Sequence, residues 1–263
     1  MMLEDPSPTG PRAFKEISAI QTRYRLRADP HIAPLAKFVD SLRAENRGFV
    51  PDFDPLDGGV DAEILFLLEK PGPKTDPARG GSGFISRDND DPSAEALYHF
   101  MKIAGVPRRA SVIWNMIPWW NGTTDLTAAE RRDGMLRVAE LLRLLPRLRS
   151  VVLVGNQAKK ARGIVEDAGM RVFESAHPSA QVRGTNRKLW ERIPGQWRQA
   201  YEACLPTYDP IAKFSYGPGD LQIETSLPDD AAEEYAALQR VWTARKELDE
   251  AMDELQRLRK MKE

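Results

Sequence analysis

The sequence predicts an α/β fold: a three-layer α/β/α sandwich around a four-stranded parallel sheet, plus a long C-terminal helix. Three observations predict it. Four short apolar runs, EILFLL (63–68), SVIWN (111–115), SVVLVG (150–155) and MRVFES (170–175), are rich in β-branched or aromatic residues, and each stops at a turn or a polar residue. Helical patterns at 92–104, 126–145 and 156–168 separate the runs, the second marked by a stripe of Leu136, Leu141, Leu144 and Leu145. Strand and helix in alternation make a parallel sheet covered on both faces through right-handed crossovers. Finally, residues 229–263 contain no Gly or Pro, and Val241, Leu248 and Leu255 recur every seven residues with Ala244, Ala251 and Leu258 between them. That helix would run about 50 Å. It reads equally as a self-associating or partner-recruiting coiled coil and as a helix packed back on its own domain.

Elements outside the alternation follow in order. Residues 1–12 are Pro-rich and without periodicity, and are expected to be disordered. Residues 13–46 read as helix, broken at Asp29-Pro30 and Ala33-Pro34, so 1–50 is an N-terminal extension with helices. Residues 47–60 are a loop by their Pro, Gly and Asp content. A loop and then a helix follow residue 177 and close an α/β domain spanning 51–205, and residues 206–228 form an irregular connector.

Composition narrows the function. The chain has 263 residues, 41% hydrophobic and 29% charged, which suits one large domain with appendages. A mean hydropathy of -0.49, with no apolar run near twenty residues, predicts no membrane span. The first residues have no apolar core like that of a signal peptide, so a cytoplasmic location is expected. A single cysteine, Cys204, makes no internal disulfide and cannot by itself supply a metal or iron–sulfur site, so no cofactor or metal is expected. The net charge is -1, but residues 60–205 hold 22 Lys and Arg against 17 Asp and Glu, a local surplus that would attract phosphates.

Ligands of open parallel sheets bind beyond the carboxyl ends of the strands. The polar residues just past the four runs are Glu69, Asn115, Asn156 and His177. Glu69 is followed by Lys70 and the rigid turn Pro71-Gly72-Pro73. A loop carboxylate paired with Lys70 or Lys74 is the plain alternative to a catalytic one. Asn156 has the look of a helix cap. VGNQAKKA (154–161) lacks the glycines of a phosphate-binding loop.

Taken in order, these residues resemble the uracil-DNA glycosylase superfamily. Leu68-Glu69-Lys70-Pro71-Gly72 is similar to its first motif, Phe84 in GGSGFIS to its base-stacking aromatic, Asn115 to its base-reading asparagine, VVLVGNQA to its third strand end, and His177-Pro178-Ser179 to its last motif. The resemblance covers about residues 60–205 and is greatest to the branch with Glu at the second motif position, without that branch's iron–sulfur cysteines. Leu68 stands where the family has Gly, Lys70 where some branches carry a catalytic Asp or Asn, and MIPWW follows Asn115 in place of Cys-Arg-Pro.

The resemblance implies an enzyme of base excision repair that flips uracil or a related deaminated base out of DNA and hydrolyses its N-glycosidic bond. A binding protein of the same superfamily, without cleavage, is the alternative. Glu69 would orient or deprotonate water, and His177 would donate a hydrogen bond to the departing base. Gly72, Pro73 and the backbone around them would approach that base. Asn115 offers an acceptor and donors matching N3–H and O4 of uracil. Phe84 would stack on the extruded base. Val182 and Arg183 would fill the gap in the DNA. Ser179, Gln181, Arg183, Arg187 and Lys188 would hold flanking phosphates, and Trp119 and Trp120 would stack on DNA or close the pocket.

Overall fold

The computed structural model describes residues 9–205. The expected connector and C-terminal helix lie outside the described residues. Four strands, β2 (Ile64–Leu68), β4 (Ser111–Asn115), β5 (Ser150–Val154) and β6 (Arg171–Ser175), form one parallel sheet in the order β4-β2-β5-β6. β1 (Asp52–Phe53) and β3 (Phe84–Ile85) make a separate two-residue parallel pair. Every residue of β2, β4 and β5 is buried, as expected of strands covered on both faces.

The helices that supply the cover are set by local chemistry. α3 (Pro92–Ala104) starts at Asp91, whose carboxylate accepts from Ser93 and Ala94 N–H, and ends at Gly105 with φ 71°. α4 (Ala128–Arg143) starts at a reciprocal capping box between Thr127 and Glu130. α5 (Arg162–Asp167) follows a short 3-10 turn, and α6 (Ala180–Thr185) and α7 (Arg187–Glu202) follow β6. Trp197 of α7 packs edge-on to Phe66 of β2 and to Phe100 of α3. The register Leu67↔Trp114 turns Trp114 to the face opposite Phe66. There it stacks on Phe53 at 3.7 Å and tilts against Phe38.

Phe38 belongs to α2 (Ala33–Ala44), which with Leu35, Val39 and Leu42 joins the same core as the sheet. The N-terminal helices, α1 (Ile17–Arg25) and α2, are therefore built into the domain. Asp29-Pro30 separates them as expected, whereas Pro34 sits in the first turn of α2, where its missing N–H costs nothing. Residues expected to be disordered begin to engage at Arg12, which pairs with Asp90 and Glu95.

A buried ionic cluster ties this N-terminal part to the loop 82–91. Arg23 pairs with Asp54 and Asp88, Arg108 with Asp54, Asp57 and Asp88, and Arg87 with Asp57. Burial pushes Asp57 up to about 6; Arg87 and Arg108 oppose this, while Asp54 and Asp88 add to it. The folded protein thus holds that proton more tightly than the unfolded chain. The stability it contributes is present below the ordinary aspartate pKa and is lost as pH rises through about 6.

Arg108 faces all three aspartates. Arg108→Met is expected to leave buried charge uncompensated and to cost about 3–5 kcal/mol, measured by urea denaturation.

Candidate active site

The sheet order reverses about β2, so the crevice beyond the carboxyl ends of β2 and β5 is where a ligand is expected. Pairing continues past the strand ends on the β4 side. Met116 N–H donates to the Leu68 carbonyl at 2.8 Å, and Ile117 N–H to the Glu69 carbonyl at 2.9 Å. Leu68 therefore lies opposite Asn115, with Glu69 one step further on. His177 arrives from β6. A Cβ at Gly155, where φ is +87°, would lie only 3.3 Å from the His177 Cβ, so glycine lets the end of β5 close against the histidine. Ser179 N–H donates to the His177 carbonyl at 2.8 Å, and its hydroxyl caps α6 by accepting from Val182 N–H.

A cavity of about 280 Å³ opens here. Leu68, Ile85, Leu97 and Ile113 make its apolar wall, and Asn115 and His177 line it together with the turn Lys70–Thr75. Asn115 is only 4% exposed. Among the described residues its carboxamide, the His177 ring and the Glu69 carboxylate have no hydrogen-bond or ion-pair partner. The amide thus has donors and an acceptor free to face the cavity. Burial pushes the His177 pKa below the ordinary imidazole value, with Asp91 opposing. The ring is thus neutral at neutral pH and retains one N–H to donate. Burial raises the Glu69 pKa, opposed first by Lys160 and then by Lys70.

The model of the uracil DNA glycosylase superfamily matches residues 56–198. The chain belongs to the uracil DNA glycosylase superfamily. No curated protein matches it. The match starts after α2, although in this superfamily member α2 shares the sheet's core.

Several residues expected at a uracil DNA glycosylase site fall elsewhere. Phe84 is fully buried against Tyr24, at 4.7 Å between ring centroids, and Phe14, at 5.9 Å. Its neighbour Ile85 lines the cavity instead. Successive residues of β3 point to opposite sides, and pairing with Asp52 and Phe53 decides which one turns inward. Trp119 and Trp120 are buried and offer no face to DNA. Trp119 lies under Arg47, 4.9 Å from its ring, and Trp120 bridges to Phe49 through paired backbone hydrogen bonds. Glu69 is half-buried but is not among the residues lining the cavity. No ion pair joins it to Lys70 or Lys74; Lys70 pairs with Glu130.

Gly72 and Pro73 do line the cavity. No atom lies within 4 Å of the Cβ that Gly72 lacks, so the space beside it is open. Gln181, Arg183, Arg187 and Lys188 are exposed on α6 and the start of α7, with Val182 half-buried among them. Arg187 pairs with Glu191, and Arg183 lies over Trp190. Asn156 is exposed and makes no side-chain cap.

Ser86, Asn89, Asp91 and Ser93 also line the cavity and were missed. The helix-start pattern Asp91-Pro92 was their available signal. It places a cap but not the wall that the cap belongs to. Among the described residues no group of His, Cys, Asp and Glu is placed to hold a metal ion, and no helix is long and apolar enough to cross a membrane.

In a side-chain NMR titration, Glu69 should titrate above, and His177 below, its model-peptide value. Lys160→Met removes the larger opposing charge and should move Glu69 higher still.

Proposed function

We propose that the protein is a DNA glycosylase that flips uracil, or a related deaminated base, out of DNA and hydrolyses its N-glycosidic bond in base excision repair. The observation that carries this reading is the Asn115 carboxamide, in a residue only 4% exposed and without a protein hydrogen-bond partner, facing a cavity shared with a neutral histidine. A carboxamide presents an acceptor and two donors in one plane, the complement of N3–H and O4 of uracil. When the C1′–N1 bond breaks, the bonding pair leaves with the base. His177 N–H then meets charge developing on a base oxygen, and a neutral donor suits an anion that takes no proton. Glu69, ionised above its raised pKa, attracts the cationic sugar and takes a proton from the water that adds to C1′. The open space beside Gly72 lets the turn approach the base edge. Gln181, Arg183, Arg187 and Lys188 follow His177 in the chain and are exposed, so they would hold flanking phosphates, and Val182 would fill the gap left by the flipped base.

One observation favours the second reading, a superfamily member that binds DNA or a modified base without cleaving it. The Glu69 carboxylate stands outside the cavity lining. A single experiment separates the two: release of free base from single- and double-stranded oligonucleotides carrying uracil and other deaminated bases. The glycosylase reading expects release, and a fall of about two orders of magnitude in Asn115→Ala and His177→Ala with folding unchanged. Salt-sensitive DNA binding with no free base from any substrate would establish the binding reading instead. Gly72→Ala meets no protein atom, so it should keep stability while lowering turnover; equal turnover would show that the base does not approach there.

A further inference from the structure

We propose that Lys70 is a positioning residue: its ammonium group latches the turn after β2 to the segment following Asn115, and so holds Glu69 and Asn115 in fixed relation. The proposal rests on the reading that Glu69 and Asn115 serve one substrate.

The Lys70 side chain is 4% exposed. Its Nζ donates to Asn121 Oδ1 at 2.7 Å, to Glu130 Oε1 at 3.2 Å and to the Asp125 carbonyl at 3.4 Å. All three acceptors lie beyond Asn115 in the chain. A lysine ammonium has three donors and is costly to dehydrate, so burying it with every donor directed to one segment makes a specific tie. Glu130 gathers the other end of that tie. Besides Lys70, it accepts from Asn121 Nδ2 at 2.9 Å, from Trp119 Nε1 at 3.4 Å and from Thr127 N–H at 3.0 Å. Burial opposes its ionisation, but the Thr127 N–H and Lys70 together hold its carboxyl down to about 2. The Glu130 carboxylate is therefore ionised at neutral pH.

What the latch closes is also visible. Residues 116–127 contain no helix and no strand beyond the single bridge at Trp120. They connect Asn115 to the cap of α4. On the near side, only two backbone hydrogen bonds, from Met116 and Ile117 N–H to the Leu68 and Glu69 carbonyls, continue the β2–β4 pairing. These bonds set the step between Glu69 and Asn115, and they lie just past the last paired residues of β2 and β4. Lys70 follows Glu69 directly and closes the loop around them. Its ammonium is thereby turned to Glu130 although the residue borders the cavity, and its role is to place Glu69 and Asn115.

The test compares the wild-type full chain with Lys70→Met, which keeps the length but removes charge and donors, and with Lys70→Arg, which keeps both. Native-state hydrogen exchange reads the amides of Met116 and Ile117, with Val152 and Leu153 of β5 as internal reference. In Lys70→Met the first pair is expected to exchange about tenfold faster or more while the reference pair is unchanged. Lys70→Arg should retain protection. Base release should show kcat reduced about tenfold to a hundredfold at a KM within about twofold of wild type, the pattern of misplaced groups rather than lost binding.

Unchanged exchange at 116 and 117, a uniform rise that includes β5, or undiminished kcat in a protein with loosened 116–117 would each overturn the proposal. A wild-type protein that releases no base ends the glycosylase reading, and the exchange comparison then decides the latch by itself. If Lys70→Met does not fold, Glu130→Gln gives the same comparison by removing the partner's charge with its shape kept.

Discussion

The parallel pairing of β2 with β4, Leu68 opposite Asn115, is the constraint on which the site depends. Parallel neighbours lie about 4.8 Å apart, so residues in register at adjacent strand ends cannot separate without breaking the sheet. Because β2 also pairs with β5, and β5 with β6, the same sheet sets where the turn before His177 begins. Each segment that carries a polar group leaves the sheet at the same edge. The apolar strand that ends at Glu69 does so because the sheet ends there and the cavity wall begins.

Around that edge the protein treats charge in two opposite ways. Asp54, Asp57 and Asp88 are buried against Arg23, Arg87 and Arg108, and Lys70 is buried against Glu130. These contacts hold the loop 82–91, which lines the cavity, and the segment 116–127, which follows Asn115. The side chains of Asn115, His177 and Glu69, by contrast, have no hydrogen-bond or ion-pair partner among the described residues. Isolated buried polar groups are expensive. Of the three, Asn115 is the buried one, and it faces the cavity without a protein partner.

Much of the fold was legible in residue patterns. The four apolar runs became the four strands, and α3 occupies the expected 92–104, since its Asp91 cap and its Gly105 stop are local signals. The positions of Asn115 and His177 were legible because Asn115 ends β4 and His177 comes just after β6, where fold logic alone gives a position. Phe84 was not. Its placement depends on which of two adjacent residues in a two-residue strand faces the cavity, and a non-local pairing with residues 52–53 settles that. The burial of Trp119 and Trp120 was not legible, because nothing nearby in the chain shows Arg47 and Phe49 covering them.

By itself the sequence determined the alternation of strand and helix, the residues at each strand's carboxyl end, and membership of the uracil DNA glycosylase superfamily, because periodicity, caps and motif order are encoded within short windows. Tertiary structure alone decided that Lys70 turns to Glu130 rather than to Glu69, that Ile85 rather than Phe84 lines the cavity, and that α1 and α2 are part of the domain. Each of those outcomes is a choice among partners distant in the chain. The physical reason is the same in every case: which partner wins depends on burial and register, and neither exists until the chain has closed on itself.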